Sequence, residues 1–183
     1  MDPASHLKSW HDLYVMLGTS SAALLGLLYV VTSLHLDEIV NNPVYRNRAR
    51  SNSLYLIITL VEATFILAPQ PTVVLGPELA VINLFGLTVN ARNTYRILKN
   101  RDASKLGGMT LYRAFSFMFG FLLGVAGGAC LFAGINWGMY LVTASYIILL
   151  VGVALNAWAI MLGVGETQET EKANRRAARK APP

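Results

Sequence analysis

Glu62 is the residue of this sequence whose position most needs a chemical explanation. It lies in SNSLYLIITLVEATFILAP, residues 51–69, an apolar run long enough to cross a bilayer. A charged side chain at membrane depth costs about 2.5–3.5 kcal/mol on insertion scales, so it is kept where a partner or water compensates it, and such residues mark ion pathways and proton relays. Ser51, Tyr55 and Thr59 precede Glu62 at helical spacing, which puts four polar side chains on one helix face. A second polar stripe follows at Asn83, Gly86, Asn90 and Asn93, again three and four apart. Hydrocarbon penalises such stripes, and a neighbouring helix or water rewards them.

Two more acids, Asp12 and Glu78, stand at the starts of apolar segments. One reading makes Asp12, Glu78 and Glu62 the lining of a cation-attracting vestibule or a proton relay, continued by Thr59, Tyr55, Asn83 and Asn90. The other makes Asp12 and Glu78 solvated acids at helix N-termini, with Glu62 protonated and hydrogen-bonded to an Asn or Ser of another helix. The sequence leaves both open.

Other reactive residue types point elsewhere. His11 and His35 are 24 helical residues apart, roughly 36 Å, so they cannot share a metal or haem. Adjacent His11 and Asp12 are expected to point different ways from a helix, in interfacial roles. The single cysteine, Cys130, lies in an apolar run and is expected to be a small packing residue. No nucleophile elbow, zinc-protease motif, phosphate-binding loop or pair of intramembrane aspartates is present, so no enzyme, metal site or cofactor is expected.

The elements that position these residues follow from composition. The chain is 183 residues long, 54% hydrophobic and only 14% charged, against about a quarter charged in soluble domains. With a mean hydropathy of +0.47, it belongs to the membrane class. The pattern predicts an all-α polytopic protein: one bundle over residues 1–164 with five transmembrane helices near 10–36, 51–69, 78–98, 109–134 and 138–163, then a tail over 165–183. Residues 1–8 carry one basic residue, and the apolar stretch beyond them is longer than a signal-peptide core, so the first span is expected to remain. Trp10 and Tyr14 read as interface anchors. Asp37 to Arg50 reads as a polar link, and Gly76-Pro77-Glu78 as part of a turn before the third span.

Small residues should mediate helix contacts. Gly18, Ala22 and Gly26 form a ladder on the first span, while Gly120, Gly127 and Gly134 recur in sevens on the fourth, with Gly124 and Gly128 beside them. The fifth span carries Ser145, Gly152 and Asn156 along one face.

Charge sets the expected orientation. Of 15 Lys and Arg, only Lys8 falls on one side of the five-span arrangement and the remaining 14 fall on the other. By the positive-inside rule the N-terminus is outside and the C-terminus cytoplasmic. Glu62 then lies about 18 Å from the inner end of its span and about 10 Å from the outer. The rule also explains Arg92, Arg96 and Lys99 without a voltage sensor, and it removes nucleic acid as the reason for the net charge of +5. In the tail, Arg175, Arg176, Arg179 and Lys180 suit anionic lipid headgroups, at about 1 kcal/mol per basic residue.

The first span, with Trp10-His11-Asp12, Gly18 and Ala22-Ala23-Leu24-Leu25-Gly26-Leu27-Leu28-Tyr29-Val30, together with Pro69-Gln70, resembles a family of small bacterial inner-membrane proteins, some labelled modulators of a membrane-bound protease. The resemblance implies a multi-pass protein of the bacterial inner membrane and leaves activity open. Two functions are carried forward. The first is a homo-oligomeric channel-like protein passing cations or another small solute, because one short chain with polar stripes can hardly enclose a wet path alone. The second is a non-conducting accessory protein of a larger membrane complex, its stripes serving as helix-to-helix glue.

Overall fold

The computed structural model describes residues 10–41, 43–99 and 108–158. They form helices α1 (His11–Leu34), α2 (Leu36–Asn41), α3 (Pro43–Leu67), α4 (Thr72–Lys99), α5 (Gly108–Phe132) and α6 (Gly138–Trp158). All but the short α2 contain a stretch long and apolar enough to cross a membrane, and no strand occurs among the described residues. The chain is therefore an all-helical, multi-pass membrane protein.

Two boundaries differ from the sequence reading. Residues 37–50 are not an extended link: α2 is helical, and α3 begins at Pro43, where proline fits the first helical turn because its missing N–H would have no partner there. Likewise α4 starts at Thr72, and the carbonyl of Pro71 accepts the N–H groups of Val74 and Leu75 at 3.0 and 3.1 Å. Gly76 and Pro77 thus lie inside α4 instead of forming a turn. Close packing explains the glycine, since a Cβ at Gly76 would meet the Phe132 nitrogen at 2.5 Å and the Gly128 oxygen at 2.7 Å.

Successive spans run antiparallel. Gly18 meets Ala63, Tyr55 meets Asn90, Gly86 meets Phe121 and Gly127 meets Val142, while α6 returns parallel to α1 through Trp10 on Tyr140 and Tyr14 on Thr143. Arg46, Arg50, Arg92, Arg96 and Lys99 consequently gather at one end, called here the basic end. Helix α3 is central. It touches α1 through Thr59 and Ala63, α4 through Tyr55 and Glu62, α5 through Tyr55 against Phe117 and Phe121, and α6 through Asn52.

The glycines of α5 divide between two neighbours. Gly124 and Gly128 face Asn83 and Gly76 of α4, whereas Gly120 and Gly127 face Leu149 and Val142 of α6, with Gly138 closing on Gly127 from the α6 side. Gly134 does not belong to this contact and corrects the expectation of strict sevens: its φ of +76° and open surroundings place it just past α5. There the Gly134 N–H bonds the Leu131 carbonyl at 3.0 Å and the Ile135 N–H reaches Cys130 at 2.8 Å, a Schellman arrangement that consumes two free carbonyls. Gly26 is a second correction, since nothing lies within 4 Å of a Cβ built there; Gly18, closer to the crossing with α3, makes the contact with Ala63.

Two apolar clusters fill the bundle. One, away from the basic end, includes Leu17, Ala63, Ile66, Leu79 and Met139, and the other, toward it, includes Leu28, Leu56, Phe117, Phe121 and Leu149. Large apolar side chains such as Leu27, Val81, Phe85, Phe119 and Leu155 are exposed on the outside, as a hydrocarbon solvent permits.

Candidate functional site

Polar side chains form a seam through the interior, built on the α3 face that carries Tyr55, Thr59 and Glu62, all three buried. The stripe on α3 meets the stripe on α4 within one chain. Asn83 Nδ2 donates to Glu62 Oε1 and also to the Leu79 carbonyl, the Tyr55 hydroxyl donates to Asn90 Oδ1 at 2.9 Å, and Asn93 Nδ2 donates to Ser51 Oγ at 3.3 Å. Antiparallel packing produces this match, because residues separated by three and four on each helix then meet in register.

Helices α1 and α6 extend the seam. Thr59 donates to Ser21 Oγ at 3.2 Å, Ser21 and the Tyr146 hydroxyl are 2.8 Å apart, and Tyr14 pairs with Thr143 at 2.9 Å. Toward the basic end, Asn156 Nδ2 donates to Asn52 Oδ1 at 2.6 Å. On α3 alone, Ser51 to Glu62 covers about 17 Å, more than half of a hydrocarbon core of about 30 Å.

Three fully buried side chains of the seam keep an atom without a hydrogen-bond partner among the described residues, Glu62 Oε2, Asn83 Oδ1 and Asn52 Nδ2, as does the buried Ser145 Oγ of α6. An unmet buried polar atom costs about 1–3 kcal/mol, so the directly bonded Glu62 and Asn83, each with one such atom, mark a place suited to water, a proton or an ion. Among the described residues no three His, Cys, Asp or Glu side chains come together as a metal site.

The structure thus brings Tyr55, Thr59, Glu62, Asn83 and Asn90 together but leaves Asp12 and Glu78 apart from them. Asp12 is fully exposed, beside His11, whose Nδ1 lies 3.2 Å from its Oδ1. That contact corrects the expectation of divergent side chains: both residues stand in the exposed first turn of α1. Glu78 is half-buried and accepts from Gln70 Nε2 at 2.7 Å, and the same nitrogen bonds the Phe65 carbonyl at 3.0 Å, so this acid braces the turn between α3 and α4. The basic tail residues Arg175, Arg176, Arg179 and Lys180, and the expected end of the last span near residue 163, lie outside the described residues.

Sequence reasoning missed Tyr14, Ser21, Thr143 and Tyr146. Tyr14 is not an interface anchor; it is wholly buried, edge-on to Tyr146. The seven-residue spacing of Tyr14 and Ser21 was the available signal, since it places a phenol and a hydroxyl on one face of α1. Asn52 lies beside the α3 stripe and is recognisable only once α6 is in place.

No family model, characterised protein or solved structure matched the chain on comparison.

Proposed function

We propose that this protein passes protons or small cations across a bacterial inner membrane, with the interior seam of each protomer as the path and Glu62 as the group that takes up the ion. The observation carrying this reading is the Glu62 carboxyl, buried at the meeting point of α3 and α4, bonded through one oxygen and unpartnered at the other. Thr59, Tyr55, Asn83 and Asn90 continue the path toward the basic end, which the positive-inside rule assigns to the cytoplasm. A homo-oligomer is compatible with this reading. The stripes that would have lined a shared pore are turned inward instead, so the unit of passage is the protomer.

The test is flux into liposomes holding a pH-sensitive dye, repeated with sodium and potassium indicators. Wild-type protein is expected to pass an ion faster than empty liposomes, and Glu62→Gln to abolish the difference. A silent wild type in all three assays overturns the proposal.

A second reading has its own support. Most seam atoms are bonded directly to one another, as helix glue would be. A non-enzymatic accessory subunit of a larger membrane complex, such as the protease its first span suggests by resemblance, needs no path. Silent liposomes together with one stoichiometric partner in mild detergent would favour it.

A further inference from the structure

A groove of about 130 Å³ lies on the flank of the bundle toward the basic end, lined by none of the polar seam residues. Its floor is made by the buried Leu28, Ile39, Ala49, Leu56 and Val153, contributed by α1, α2, α3 and α6. Its rim is exposed: Leu27 at 60%, Trp158 at 61%, and Ala154. A buried floor and an exposed rim on transmembrane helices make a furrow that opens sideways into the hydrocarbon. Among the described residues, Thr32 and Trp158 carry the only polar side-chain atoms in the lining, and the Thr32 hydroxyl is turned to the Leu28 carbonyl at 2.7 Å. The wall therefore offers an occupant almost nothing but apolar contact.

The end of the furrow nearest the membrane surface has a different character. Ile39 of α2 reaches the lining there. Arg46 and Arg50 flank the lining residue Ala49 on α3, both exposed and four residues apart on one helix face. An apolar furrow within the membrane, with two exposed arginines within three residues of its lining residue Ala49, has the chemistry of one ligand: a chain of hydrocarbon with an anionic head.

We propose that this groove binds one acyl chain of an anionic phospholipid, whose phosphate is held at the basic end by Arg46 and Arg50. Basic pockets between transmembrane helices recognise anionic headgroups by this combination of charge and depth. The site uses none of the seam residues, so it stands or falls separately from ion passage.

The experiment is native mass spectrometry of the full-length protein, stripped of lipid in mild detergent and titrated with phosphatidylglycerol or with phosphatidylcholine of identical chains. Wild type is expected to retain one phosphatidylglycerol in preference to phosphatidylcholine. Because a basic residue near the surface contributes about fivefold in affinity, Arg46→Gln and Arg50→Gln should each lower that preference about fivefold. Ala154→Trp, which fills the groove from its exposed rim, should lower retention of both lipids. Equal retention of the two lipids by wild type overturns the proposal, as does unchanged retention in Ala154→Trp or displacement of the lipid by inorganic phosphate alone. The arginine variants alter exposed side chains and keep the test decisive should the tryptophan variant fold poorly.

Discussion

Helix α4 meets its two neighbours with a different balance of polar bonding and close approach. Toward α3 it presents Asn83, Asn90 and Asn93, and the contact is made by side chains of some length that exchange hydrogen bonds. Toward α5 it presents Gly76, Ala80 and Gly86, and the contact is made chiefly by close approach, with a Cβ at Gly128 falling 2.6 Å from the Gly76 oxygen and 2.7 Å from the Ala80 nitrogen, Gly86 lying against the Phe121 ring, and one polar bond running from Asn90 Nδ2 to the Ala114 carbonyl at 3.1 Å. In a bilayer, lipid tails are as apolar as leucine, so helices associate through close van der Waals approach or through polar bonds. One helix here relies mainly on polar bonds toward α3 and mainly on close approach toward α5, with Asn83 and Asn90 touching both neighbours. The close approach supplies rigidity and leaves no room, whereas the polar face holds side chains with unmet atoms and so has the capacity for chemistry.

The largest expected effect separates the two faces by function. Glu62→Gln keeps an oxygen for Asn83 Nδ2 and should leave thermal unfolding in detergent within about 1 kcal/mol of wild type. Flux in liposomes should nevertheless fall by at least about tenfold. A variant with wild-type flux would show that the polar face is glue alone.

Next comes the glycine face, where Gly128→Ala should cost about 1–3 kcal/mol, because backbone atoms of α4 would have to shift. The readout is unfolding in detergent, and a neutral result would mean that α4 and α5 are less tightly apposed than described. Removing a polar bond should matter less: Tyr55→Phe deletes the donor to Asn90 and is expected to lose about 0.6–1.7 kcal/mol, the range for such bonds within membranes. If Tyr55→Phe proved more damaging than Gly128→Ala, the ranking of the two faces would be reversed. The smallest effect belongs to Asp12→Asn. This residue is exposed at the end of α1, so both stability and flux should stay within experimental error, the former below about 0.5 kcal/mol. A clear loss of flux would restore the vestibule reading that the geometry leaves without support.

The composition, the lengths of the apolar runs and the stripe from Ser51 to Glu62 were enough to establish a five-span helical membrane protein with α3 as its organiser. Those features are periodic and local, and the bilayer enforces them on any sequence: an apolar segment of sufficient length must satisfy its backbone within itself. What the stripes face was decided only by packing. The same Asn83 and Asn90 that suit the wall of a shared pore are paired, in the folded chain, with Glu62 and Tyr55, because the tight turn braced by Gln70 and Glu78 sets α4 antiparallel to α3 in matching register. Tyr14 shows the same limit. Its type and place near a span end suit an interface, yet the parallel return of α6 covers it with Thr143 and Tyr146. Periodicity tells which residues share a face, but which neighbour covers that face depends on contacts between residues more than a hundred positions apart.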